Sequence, residues 1–83
     1  MGSKTFDGVR FAAYTNDHLP PHVHGFYAGV EAIIELLIAE RAVRLSGRKK
    51  SVRPQNAKRS DVDHIRETAR RNFDALVALW ESA

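Results

Sequence analysis

Cysteine is absent from the chain, which excludes disulfides, thiolate zinc sites and a cysteine nucleophile together and suits a reducing compartment. Any metal would have to be taken by His, carboxylate or water. Long apolar runs are lacking as well. Nothing approaches the roughly 20 residues of a membrane-spanning helix, and the first residues show neither the basic start nor the apolar stretch of a signal peptide. Met1-Gly2 opens like a myristoylation site, but Phe6 stands where Ser or Thr is wanted. These absences predict a soluble, cytoplasmic protein without a membrane partner. Length excludes a two-domain enzyme, because 83 residues hold one small core. With 43% hydrophobic and 28% charged residues the composition is that of a folded domain rather than a disordered tail, and residues 1–83 are read as one domain.

Several chemical signatures are missing too. There is no glycine-rich phosphate loop, no H-E-x-x-H and no nucleophile elbow, and Ser3, Ser46, Ser51, Ser60 and Ser82 stand in no triad context.

What is present is a segregated charge. The net charge of +3 divides into −3 over residues 1–40, +8 over 41–59 and −2 over 60–83. The middle stretch holds Arg41, Arg44, Arg48, Lys49, Lys50, Arg53, Lys58 and Arg59 and no acid. Clustered cations point to an anionic partner, nucleic acid first, because binding releases condensed counterions. The alternative is a solvated loop that contacts nothing. The segment lacks interleaved aromatics, so it offers phosphate contact rather than a stacking platform.

Hydrophobic periodicity predicts the elements. Val9, Phe11 and Ala13 alternate with Arg10, Ala12 and Tyr14, the period-2 mark of a half-buried strand, and Asp7-Gly8 before it supplies a turn. Pro20-Pro21 forces an extended connection. A second strand over 22–27 places His22, His24 and Phe26 on one face and Val23, Gly25 and Tyr27 on the other, and Ala28-Gly29 makes a turn. Residues 30–45 mix helix and strand formers. Their alternation, with Ala32, Ile34, Leu36 and Ile38 opposite Glu31, Ile33, Glu35 and Leu37, favours two strands at 31–37 and 41–45. A polar basic loop follows over 46–59. Ser60-x-x-Asp63 approximates a capping box for one helix over 60–82, whose apolar stripe is Val62, Ile65, Ala69, Phe73, Leu76 and Trp80. His64 falls off that stripe and is expected to face solvent. Glu67 with Arg71 and Arg70 with Asp74 are expected surface pairs. The predicted fold is α+β, a small antiparallel sheet of three to four strands packed against one long C-terminal helix.

Three of the four histidines fall in Asp17-His18-Leu19-Pro20-Pro21-His22-Val23-His24. Residues two apart on a strand point the same way, so His22 and His24 can present both imidazoles to one ion, and the Pro-Pro step can bring His18 or Asp17 alongside. Imidazole with carboxylate suits a divalent transition metal, zinc or nickel first. A shaped turn whose imidazoles satisfy backbone groups is the structural alternative, and metal-free acid–base chemistry is a third.

The string NDHLPPHVHGFYAGVEAIIEL, with Val9-Arg10-Phe11 before it and a helix ending in Leu76-x-x-Leu79-Trp80 after it, resembles the small bacterial proteins of the domain of unknown function 4160 family. The residues that carry the resemblance are Asp17, His18, Pro20, Pro21, His22, His24, Glu31, Ala32, Leu76 and Trp80. A basic insert at 48–59 departs from the family pattern. The resemblance implies strands followed by a helix, and members that look like partners of short genes in mobile-element or toxin–antitoxin-like settings.

The leading reading is therefore a toxin–antitoxin-like or mobile-element-associated binding module, with a histidine metal site and with Arg48, Lys49, Lys50, Arg53, Lys58 and Arg59 on a polyanion. Its partner would be nucleic acid or a protein from a neighbouring gene, and a homodimer stays open. The second reading is an RNase-like hydrolase dependent on metal or histidine, and the third an inhibitor of a nucleic-acid enzyme. For a DNA mimic the acidic surface is missing.

Overall fold

A computed structural model describes residues 2–14 and 20–83. Strands β1 (Gly2–Phe6), β2 (Val9–Ala13), β3 (His22–Tyr27), β4 (Val30–Leu37) and β5 (Ala42–Leu45) form an antiparallel sheet in chain order, and β6 (Val52–Arg53) also pairs with β4. Helices α1 (Arg59–Arg71) and α2 (Phe73–Ser82) complete an α+β fold. Six strands and two helices replace the expected three to four strands and one helix.

Two tight hairpins set the register. Asp7 and Gly8 have φ of 50° and 78°, and Ala28 and Gly29 have φ of 52° and 78°. Two successive left-handed residues make the two-residue turn whose twist matches that of paired strands. Asp7-Gly8 thus closes the β1–β2 hairpin. β1 was missed at the sequence level because Gly-Ser-Lys-Thr-Phe offers little apolar alternation, although the Asp-Gly pair is the strongest short hairpin signal there is.

The two faces of the sheet differ. Val9, Phe11, Ala13, Val23, Ala32 and Ile34 are fully buried against Ile65, Ala69 and Leu76 of the helices. Gly25 lies at the closest approach: a Cβ there would stand 2.5 Å from Ile65 Cγ2. Residues one step out of phase form the opposite face, in rows defined by the pairing. One row reads Thr5, Arg10, Phe26, Glu31, Arg53, the next Ser3, Ala12, His24, Ile33. His22, Glu35 and Arg44 form a third.

The basic loop is more ordered than expected. Ser46 N–H donates to the Ile33 carbonyl at 2.9 Å and Ile33 N–H donates to the Ser51 carbonyl at 2.8 Å. Both ends of the excursion are therefore held on one residue of β4, and residues 47–50 project as an exposed tip. The basic stretch then returns to the sheet as β6.

The expected long helix breaks at Asn72. Its side-chain amide donates to the Thr68 carbonyl at 2.9 Å, the acceptor a continuing helix would give to its own N–H, and that N–H turns to Ala69 instead. The apolar stripe runs through the break, which is why periodicity alone read one helix. The capping box does not form either. Helix α1 begins at Arg59 after Lys58, with no side-chain cap. Asp63, assigned to the cap, lies 2.8 Å from Arg66 and 4.0 Å from Arg59.

His64 is half-buried rather than solvent-facing. Its Nε2–H donates to the Asp7 carbonyl at 3.0 Å and its ring packs on Tyr27, 4.3 Å between centroids. Asp74 pairs not with Arg70 but with Arg41 of the β4–β5 turn, at 2.9 Å. No helix among the described residues is long and apolar enough to cross a membrane.

Candidate functional site: a histidine–carboxylate cluster beside a basic excursion

Strand geometry brings His22 and His24 to the same face of β3, as their spacing predicts, with ring centroids 5.3 Å apart. His22 is buried, 3% exposed, and its Nδ1–H donates to the Pro20 carbonyl at 2.9 Å. His24 Nδ1–H donates to Glu31 Oε2 at 3.0 Å. Carbonyl and carboxylate oxygens only accept, so both rings carry a proton on Nδ1, and in the neutral form the lone pair lies on Nε2. An oxygen acceptor on one ring nitrogen is the arrangement that orients a histidine used through the other, whether toward a metal or toward a proton.

The surroundings come from three elements. The Tyr14 ring stands 4.8 Å from His24, and Trp80 of α2 stands 5.5 Å from His22, where β2–β3 pairing has stopped at Ala12 and His24. Glu35, opposite His22 in the register, is 6% exposed and accepts a hydrogen bond from Arg44 Nε at 2.8 Å. Two imidazoles and two carboxylates thus occupy adjacent strands, each carboxylate with a cationic or N–H partner.

Asp17 and His18, the other two residues expected at a metal, lie outside the described residues. Among the described residues no three histidine or carboxylate side chains gather at a common point. His22 and His24 supply two imidazoles, and a metal held by them would need further donors. Glu31 and Glu35 were the residues that the sequence reading left out of the site. Their alternation put both on one side of β4, but only the β3–β4 register sets that side beside the histidines.

The basic residues separate into two groups. Arg41, Arg44 and Arg59 have carboxylate neighbours in Asp74, Glu35 and Asp63. Arg48, Lys49, Lys50, Arg53 and Lys58 are exposed, and among the described residues no carboxylate lies within ion-pair distance of them. Ser46 Oγ accepts from Arg48 N–H at 3.2 Å, a local turn that shapes the base of the tip.

An antiparallel meander backed by two helices, with histidines and carboxylates on its other face and a cationic excursion at its edge, defines a small α+β domain. The chain belongs to the family described as Domain of unknown function (DUF4160), which matches residues 8–81 and so includes the histidine motif, the basic segment, α1 and α2 up to its last residue. No curated protein matches the chain, and no solved structure matches it.

Proposed function

We propose that the chain is a polyanion-binding module, with nucleic acid as the favoured partner and, as the contact, the excursion between β5 and β6 together with Arg53 of β6 and Lys58 after it. One observation carries this reading: Arg48, Lys49, Lys50, Arg53 and Lys58 are exposed without a carboxylate neighbour among the described residues, while both ends of the excursion are held on Ile33. Cations that no internal carboxylate neutralises keep their full charge for phosphate, and a loop held at both ends loses less freedom on binding than a loose one. Arg59, at the start of α1, extends the set. A toxin–antitoxin-like or mobile-element setting, with a nucleic acid or a neighbouring gene's protein as partner, goes with the family resemblance.

Salt dependence tests it. Affinity for a nucleic acid should fall with a log–log slope of about −0.7 to −0.9 per phosphate contact, and replacing Arg48, Lys49, Lys50 and Arg53 with Ser should flatten the slope. No binding by the parent at low salt, or an unchanged affinity in the fourfold variant, rejects the reading.

A second reading is favoured by the engaged Nδ1 atoms of His22 and His24. In it the two imidazoles, joined by Asp17 or His18, take zinc or nickel, or work without metal as base and acid on an RNA phosphodiester. The excursion would then place the phosphate backbone.

A further inference from the structure

The face of the sheet opposite the helices carries chemistry that the basic segment lacks. In the row Thr5, Arg10, Phe26, Glu31, Arg53, the Arg10 guanidinium carbon stands 4.3 Å from the centroid of the Phe26 ring. Phe26 is half-buried, Arg10 and Arg53 are exposed, and no carboxylate lies within ion-pair distance of either among the described residues. The row ends at Arg53 in β6, directly after the excursion. Adjacent strands are about 4.8 Å apart, so Arg10 and Arg53 stand about 14 Å apart with Phe26 between them. The one acid in the row, Glu31, is held by His24 in the next row at 3.0 Å.

We infer that the polyanion is a single-stranded nucleic acid, with a base stacked on the Arg10–Phe26 pair and its backbone running past Arg53 to the tip at Arg48, Lys49 and Lys50. This rests on the polyanion reading and narrows it. An aromatic ring with a guanidinium over it, on the sheet face opposite α1, offers flat, sequence-tolerant surfaces that an unpaired base can reach and a duplex base cannot, because bases in a duplex are already stacked. Arg10 and Arg53, on either side of Phe26 in the row, then meet the flanking phosphates. A helical duplex or a base-free polyanion would use the tip and leave Phe26 untouched.

The experiment compares the full chain with Phe26→Leu and Phe26→Trp, using a labelled single-stranded oligonucleotide of about twelve nucleotides, the matching duplex, and heparin as a polyanion without bases. The parent should bind the single strand in preference to the duplex. Phe26→Leu should weaken single-strand binding by about tenfold, the loss of one base–aromatic stack, with heparin binding and the salt slope unchanged. Phe26→Trp should restore affinity and add a tryptophan signal that the single strand quenches and heparin does not. Equal affinity of Phe26→Leu and parent for the single strand overturns the inference, as does a parent that prefers duplex. A Phe26→Trp variant as weak as Phe26→Leu also overturns it, since that marks Phe26 as a packing residue. Heparin binding that survives in those cases leaves the polyanion reading standing, whereas loss of all binding by the parent removes both.

Discussion

His24 donates its Nδ1 proton to the Glu31 carboxylate, 3.0 Å away on the neighbouring strand. The bond fixes the tautomer and aims Nε2, so it gives the metal reading a sharp consequence. Zinc or nickel titrated into protein without a His tag should bind at one equivalent, and His24→Ala should abolish the binding. Glu31→Gln should weaken it by 10- to 100-fold, the usual cost of losing the group that orients a ligating histidine. Equal uptake by His24→Ala and the parent would assign the cluster to structure alone. His22→Ala is a poorer probe, because its ring is buried and its loss would disturb packing as well.

Gly25 seats α1 on the sheet. A Cβ at this position would meet Ile65 Cγ2 at 2.5 Å and Phe11 Cε1 at 3.1 Å, so Gly25→Ala should destabilise by about 1–3 kcal/mol through overpacking. At this chain length each kcal/mol lowers Tm by about 4–8 °C. The cause is checked by a cycle with Ile65→Ala: in that background, where the crowding methyl is gone, Gly25→Ala should cost much less. Additive losses in thermal melts would mean that the clash is not what matters.

On the outer surface of α1 the Arg70 hydrogen bond, joined by the charges of Arg70 and Arg71, holds the Glu67 carboxyl below its ordinary range, against a smaller opposing effect of desolvation. A folded-state value below the unfolded one contributes stability that is present above the unfolded value and lost as pH falls through the folded one. The pair is exposed, so the effect belongs to the acid limb only and is screened by salt. An NMR titration should find Glu67 protonating at lower pH than an isolated glutamate, and Arg70→Ala should move it up. A Glu67 titration that does not respond to Arg70→Ala would assign the shift elsewhere.

Local rules made much of this protein legible. Alternation located β2, β3, β4 and β5 to within a residue or so, because successive side chains point to opposite faces of a strand and the apolar side packs on the helices. Asp7-Gly8 and Ala28-Gly29 were readable as turns, since glycine takes the left-handed conformation without strain. The i, i+2 spacing of His22 and His24 was enough to place their rings side by side. Other features were settled by competition between partners. Asp63 turned to Arg66 and Arg59 rather than to a cap, and Asn72 took the Thr68 carbonyl with its side chain and split the helix. No pattern in the chain ranks those options, which differ by about a hydrogen bond's net worth of roughly 1 kcal/mol.

By itself the sequence determined the α+β class, which side of each strand is apolar, the two hairpin turns and the pairing of histidines along β3, all consequences of neighbours within a few residues. Only the tertiary structure decided which residues meet across strands. The β3–β4 register set Glu31 beside His24, and the β2–β3 register set Arg10 over Phe26. The two bonds to Ile33 turned a run of like charges into a held excursion. Register is a collective choice: slipping a strand by one residue turns every side chain to the other face, so the whole buried side selects the pairing. The residues that carry the candidate chemistry follow where the core puts them.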